Sequence, residues 1–138
     1  MFTEDYSDED ILLAIDKAGL KSFYGNLENG LDTIIDRDNL TISGGEIQRI
    51  GLARGFLFDS NIYLFDEATS ALDKETSILI EKNILALENK IVISIVHKIN
   101  EVSENYDHLL FMDRGRVKYA GTFKEMKTID EVRELLEA

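Results

Sequence analysis

Two short clusters carry the groups that could do chemistry. One is Asp66-Glu67, which abruptly closes the apolar run Asn61-Ile62-Tyr63-Leu64-Phe65; the other is Ser43-Gly44-Gly45-Glu46, upstream of it. If the apolar run is a buried parallel strand, its acids sit at the C-terminal end, where open α/β sheets place their ligands. One carboxylate there suits Mg²⁺, which takes one or two protein carboxylates together with substrate phosphates and waters. The second acid, one residue on, could orient or deprotonate an attacking water. Two adjacent acids alone are equally a solvated strand end. Ser43 with Glu46 three residues later is first a capping box, whose hydroxyl and carboxylate satisfy orphan N–H groups of a helix start. The paired glycines add bare backbone amides at a helix N-terminus, a place that favours phosphate. Both readings hold together.

The elements that must position these clusters follow from periodicity. Ile47, Ile50, Ala53 and Leu57 recur at helical steps after Ser43. Asp73 is placed to cap a helix from Lys74 to Leu87, with Ile80, Ile84 and Leu87 on one face. Asn89-Lys90 then turns into Ile91 to Val96, expected to be a second buried strand, with His97 at its end. Before the clusters, Thr3 to Ala18 reads as a short amphipathic helix. Its N-cap is Ser7, Asp8 to Asp10 lie in the first turn, Ile11, Leu12 and Ile15 form the apolar face, and Gly19 is the stop. Lys21 to Leu27 is helical or turn-like, and Asn29-Gly30 marks a turn. Downstream, Asn100 to Tyr106 is read as helical. Strands His108 to Met112 and Arg116 to Tyr119 join at Asp113-Arg114-Gly115, and a last helix, Asp130 to Glu137, turns Val132, Leu135 and Leu136 inward. His108 has no acid or histidine at ligand spacing and is read as structural.

Taken in order, these stretches resemble the ATPase domain of ATP-binding-cassette (ABC) transporters. Ile42-Ser43-Gly44-Gly45-Glu46 looks like the family's signature, Asn61 to Glu67 like Walker B, Ser70-Ala71-Leu72-Asp73 like the D-loop, and His97 like the switch histidine. Four motifs in the family's order are far more specific than any one of them. The resemblance implies ATP and Mg²⁺ as cofactors, with Asp66 at the metal, and Glu67 and His97 as catalytic residues, the histidine sensing the terminal phosphate. Ser43, Gly44, Gly45 and Glu46 would face nucleotide bound to a partner, and Asp73 would couple the two sites. The implied partners are a second nucleotide-binding domain and the transporter's transmembrane domains. Gly30 to Asp38 resembles the segment that exporters place before the signature, so Asp36 to Asn39 is expected to face the membrane partner.

Two departures matter. Glu46 stands where the family usually has glutamine, and a carboxylate beside a phosphate is unfavourable, although it serves a capping box equally well. The chain also has no P-loop, the glycine-rich turn whose amides cradle phosphate and whose lysine reaches the terminal ones. The nearest approach, Gly25 to Gly30, is followed by Leu31 and Asp32 where lysine and serine or threonine belong. The P-loop, the adenine contact and the glutamine loop are expected upstream of Met1. The chain alone is therefore expected to bind ATP negligibly, and to expose apolar surface where flanking strands would pack.

Composition agrees with this frame. The 138 residues are one domain's worth, and 44% hydrophobic content suffices for a core. A net charge of −12 argues against nucleic acid or anionic lipid as the main partner. The lack of cysteine excludes disulfides and thiolate metal sites. No run is long enough to span a membrane, and Met1 to Asp10 has no signal-peptide character, so the chain is expected to be soluble, at the cytoplasmic face of the membrane through its partners. The expected fold is α/β, a partial P-loop-NTPase-like and mainly parallel sheet. A helical subdomain with the signature occupies about residues 1–58, and the Walker B, D-loop and switch-histidine core about 59–138. The expected function is the ATP-binding and ATP-hydrolysing portion of an exporter. Two alternatives stand beside it: a non-catalytic module that pairs with a complete ATPase, and a DNA-repair relative. The acidic charge and the exporter-like Gly30-Leu31-Asp32-Thr33 and Glu67 to Asp73 segments argue against the latter.

Overall fold

A computed structural model describes residues 6–35, 42–96 and 102–136, with the side chains of Leu135 and Leu136 outside that description. The chain forms two compact units, Met1–Ser94 and Ile95–Ala138. His97 and Asp36 to Asn39 lie outside the described residues.

The first unit begins with α1 (Asp8–Lys17), started by Ser7 in a capping box with Asp10 and stopped at Gly19, whose φ of +66° suits a residue without a Cβ. Ala14 within it and Ala18 at its C-cap are buried, with Ile11 and Ile15 half-buried. Leu12, expected on the apolar face, is exposed. The packed stripe runs along 11, 14, 15 and 18, and small alanines at its centre let the helix lie close to its neighbours. After α2 (Lys21–Gly25) and a 3₁₀ turn at Gly30–Asp32 comes α3 (Gly44–Leu57). Leu52 and Ala53 are buried in α3, whereas Ile47, expected inside, is exposed near its start.

Strand β1 (Ile62–Asp66) comes next, then α4 (Lys74–Leu85) capped by Asp73, then β2 (Ile91–Ile95). The strand–helix–strand order returns β2 beside β1 as a parallel neighbour, as a helical crossover requires. Ile91 N–H donates to the Asn61 carbonyl at 2.9 Å. Strand β1 is half-buried in alternation: Tyr63 and Phe65 face the core, stacked at 5.9 Å, while Ile62 and Leu64 face out. The core unites them with Ala14, Ala18, Leu20, Leu52, Ile80 and Ile84. Strand β2 corrects an expectation, since Ile91, Ile93 and Ile95 are exposed although their β-branched run reads as a buried strand. A run that apolar is built for cover on both faces, and within the first unit nothing described covers that one.

The second unit is built on an antiparallel hairpin of β3 (Leu109–Asp113) and β4 (Arg116–Gly121). Arg114 and Gly115 both have positive φ, the backbone of a type I′ two-residue turn. The expected helix over Asn100 to Tyr106 is, among described residues, a single 3₁₀ turn at Ser103–Asn105. A helix not foreseen, α5 (Phe123–Met126), starts at a Thr122–Glu125 capping box, and α6 (Asp130–Leu136) buries Val132 as expected. No described helix is long and apolar enough to cross a membrane.

Candidate functional site

The start of α3 and the turn after β1 are built against each other. Ser43 has extended backbone, and its hydroxyl accepts from Glu46 N–H at 3.2 Å. Glu46 Oε2 in return accepts from Ser43 N–H at 2.8 Å and from the Ser43 hydroxyl at 2.6 Å. The hydroxyl bond, the N–H bond and the Arg49 charge hold the Glu46 carboxyl below the ordinary glutamate range. The helix therefore carries its own anion at its N-terminus. That carboxylate uses both Ser43 donors, its N–H and its hydroxyl.

The two glycines are not equivalent. A Cβ at Gly44 would meet nothing within 4 Å, so its backbone is open to approach. A Cβ at Gly45 would lie 3.3 Å from Leu72 Cδ2 and 3.6 Å from the Ala71 carbonyl oxygen. Gly45 is thus the place where the helix start touches the segment Ser70 to Asp73. One turn on, Gln48 Nε2 donates to the Glu67 carbonyl at 3.0 Å.

Asp66 ends β1 with its side chain exposed, and Glu67 turns the chain with φ +49°. For a residue with a Cβ that conformation costs about 1–2 kcal/mol, so the surroundings must hold it. Ser70 N–H donates to the same Glu67 carbonyl at 3.1 Å. The loop beyond is suspended from α4: Ser77 Oγ donates to the Thr69 carbonyl, and Thr69 Oγ1 to the buried Glu81 carboxylate. Asp73 uses both carboxylate oxygens on Thr76, whose N–H and, after it, hydroxyl keep its carboxyl below the ordinary aspartate range.

The structure thus brings Ser43, Gly44, Gly45 and Glu46 beside the loop that carries Glu67 and Asp73. Asp66 lies at the head of that loop. The residue that sequence reasoning missed is Gln48. Its signal was present, since it stands off the apolar stripe, on the turn after Glu46. Among the described residues no three acids or histidines are grouped to hold a metal. A lone exposed carboxylate at a strand end still fits an ion that takes its other ligands from phosphate and water. Elsewhere in the first unit, a cavity of about 270 Å³ is lined by Ala14, Leu20, Phe23, Leu27, Ile35 and Leu57 among others. It is apolar and offers no acid.

The chain is similar to several known proteins. The ABC transporter family model matches residues 4–70. The chain is 38% identical over 124 residues to an ATP-dependent lipid A-core flippase of Vibrio vulnificus, aligning 89% of this chain with 21% of that protein. It is 36% identical over 128 residues to the flippase of the same description from Pasteurella multocida, 92% of this chain and 22% of the relative. Among solved structures, a bacterial Atm1-family ABC exporter with ATP bound superposes with a TM-score of 0.84 at 30% identity, over 98% of this chain and 24% of that one. The chain spans about a fifth of the length of these curated relatives.

Proposed function

This chain belongs to the ABC transporter family, as part of an exporter-type ATPase domain without the P-loop, and on that premise we propose that it supplies the signature and Walker B halves of an ATP-hydrolysing site that powers transmembrane export. The observation that carries the proposal is the Gln48 bond to the Glu67 carbonyl at 3.0 Å, with Gly45 against Ala71 and Leu72. It joins the helix start suited to phosphate to the turn bearing the acids, so a ligand at one is felt at the other.

In this reading Asp66 holds Mg²⁺ through water, and the ion, when bound, neutralises charge on the phosphates. Glu67 orients the attacking water and takes its proton, and His97 contacts the terminal phosphate. Ser43, Gly44 and Gly45 face nucleotide held by a second nucleotide-binding domain, the two glycines offering their backbone amides as donors. Glu46 weakens that contact, and Asp73 acts through the loop it anchors. Residues up to about 58 form the signature-bearing part, and about 59–138 the part with the acids. The transmembrane domains are the further partner, and the apolar cavity bounded by Ile35 suits a helical element from them.

Charge-assisted phosphate contacts contribute about 1.5–3 kcal/mol each, and a P-loop supplies several, so this chain by itself binds ATP negligibly. Titrating Mg-ATP calorimetrically into the chain alone, then into the chain mixed with a separately made P-loop half, tests this. Binding only in the mixture is expected; micromolar binding by the chain alone overturns the reading. The exposed apolar faces of β1 and β2, with Leu64 70% and Ile91 59% accessible, favour one second reading: a non-catalytic module that pairs with a complete ATPase. It predicts association with that ATPase and no turnover of its own.

A further inference from the structure

We infer that Gln48 is a positioning residue for Glu67, and that the signature helix thereby sets the catalytic turn of its own chain; the inference rests on the reading of Glu67 as the base. A side-chain amide has one donor end and one acceptor end, and the Glu67 carbonyl can only accept. The Nε2 end must therefore face it, at 3.0 Å. That orientation leaves Gln48 Oε1 buried with no hydrogen-bond partner among the described residues. An unpartnered buried acceptor is unfavourable, and methionine, of the same length, would fill the site without one. The compensation the structure offers is the bond to Glu67, a residue that needs it. Its φ of +49° is one that side chains rarely adopt, and its carbonyl is gripped from two directions, by Gln48 and by Ser70 N–H.

Position matters because the peptide plane of Glu67 fixes the direction in which its Cα–Cβ bond leaves the strand end. Release of the carbonyl lets that plane rotate, and the carboxylate swings away from the line of an attacking water. Gln48 itself touches neither water nor phosphate. Its effect belongs to turnover and not to nucleotide affinity, which the helix start and the missing P-loop half govern.

The test uses Gln48→Met in two measurements. In the chain itself, hydrogen exchange of the Ser70 amide is expected to accelerate about tenfold, the factor equivalent to one lost net hydrogen bond. The amides of Ile80 and Ile84 should keep their protection. Equal acceleration everywhere, or none at Ser70, overturns the inference. In the site reconstituted with the P-loop half, kcat is expected to fall about 10- to 10²-fold, the scale of a small misplacement of a reacting group, with KM for Mg-ATP unchanged. Gln48→Glu, which keeps the length and loses the donor, should behave likewise. Glu67→Gln is measured alongside. If it abolishes turnover while both Gln48 variants leave kcat intact, the positioning role is wrong and the base stands. If Glu67→Gln is itself silent, the base assignment fails, and the inference with it.

Discussion

Of the capping boxes among the described residues, two close with a glutamate and share one chemistry in different surroundings. At α3, Ser43 N–H meets Glu46 Oε2 at 2.8 Å; at α5, Thr122 N–H meets Glu125 Oε2 at 2.8 Å. Both glutamates are held below the ordinary range, Glu46 chiefly by the Ser43 hydroxyl and Glu125 chiefly by the Thr122 N–H. The boxes differ in the residues beyond the cap. After Ser43 come two glycines, one open and one pressed on Leu72, then Gln48 reaching the strand end. After Thr122 comes a four-residue helix whose glutamate closes over Gly121, with Oε2 2.9 Å from where a Cβ would stand. The difference teaches that a cap is a folding device everywhere, and that only at α3 do its neighbours leave the helix start open and tie it to a strand end.

The comparison breaks most severely at the acid that only the first box reaches. Glu67→Gln in the reconstituted ATPase should lower turnover by about 10²–10⁴, the range for loss of a general base. Steady-state phosphate release measures it, and unchanged turnover places the base elsewhere.

Next in size is the pair of glycines. Gly45→Val forces branched atoms onto Leu72, and urea unfolding of the chain should show a loss of about 1–3 kcal/mol, the usual cost of overpacking. Gly44→Ala meets open space and should be neutral or gain up to about 1 kcal/mol from helix propensity. Equal effects at the two positions would mean that the contact with the Ser70 to Asp73 loop is not tight.

The caps themselves should be alike as folding devices. Ser43→Ala and Thr122→Ala are each expected to cost about 0.5–2 kcal/mol in denaturant unfolding. Nucleotide-dependent association in the reconstituted site should fall only for Ser43→Ala. A parallel fall for Thr122→Ala would erase the distinction between the boxes.

The smallest effects belong to the carboxylates. Their folded-state affinities for protons are lowered, so their contribution to stability is present above the ordinary carboxylate value of about 4 and is lost as pH falls through the depressed folded value. Acid unfolding of Glu46→Gln and Glu125→Gln should each lose part of that acid limb, and only to a small degree because Glu125 is exposed and Glu46 no more than half-buried. Lys118, raised by its bond to Glu131, has the opposite sign: its contribution is present below the ordinary lysine value and lost as pH rises through the folded one. Only Glu46→Gln should strengthen nucleotide-dependent association, by removing a charge next to phosphate. No gain there removes the argument that Glu46 opposes the ligand.

Much of this was legible in the residues. Ser7, Ser43 and Asp73 announced their helices because capping is local, a matter of one side chain and an N–H two or three residues away. The Thr122–Glu125 box is equally readable, but α5 is too short for an apolar period to draw attention to it. Leu12 and Ile47 are misplaced by periodicity for another reason: helical spacing finds a face, but which edge of that face is covered depends on what packs there. In α1 and at its C-cap, Ala14 and Ala18 won the centre because close approach needs small residues.

By itself, then, the sequence determined the order of elements, the caps, the pairing of an apolar strand with two acids at its end, and the family's motifs. Each is a property of neighbouring residues in one segment. The tertiary structure alone decided that Gly45 rests on Leu72, that Gln48 grips the Glu67 carbonyl, and that Ile91, Ile93 and Ile95 face outward. Those are contacts, or missing contacts, between segments far apart in the chain. Covalent order and propensity do not encode such distances; they emerge when β1, α3 and α4 close on one core.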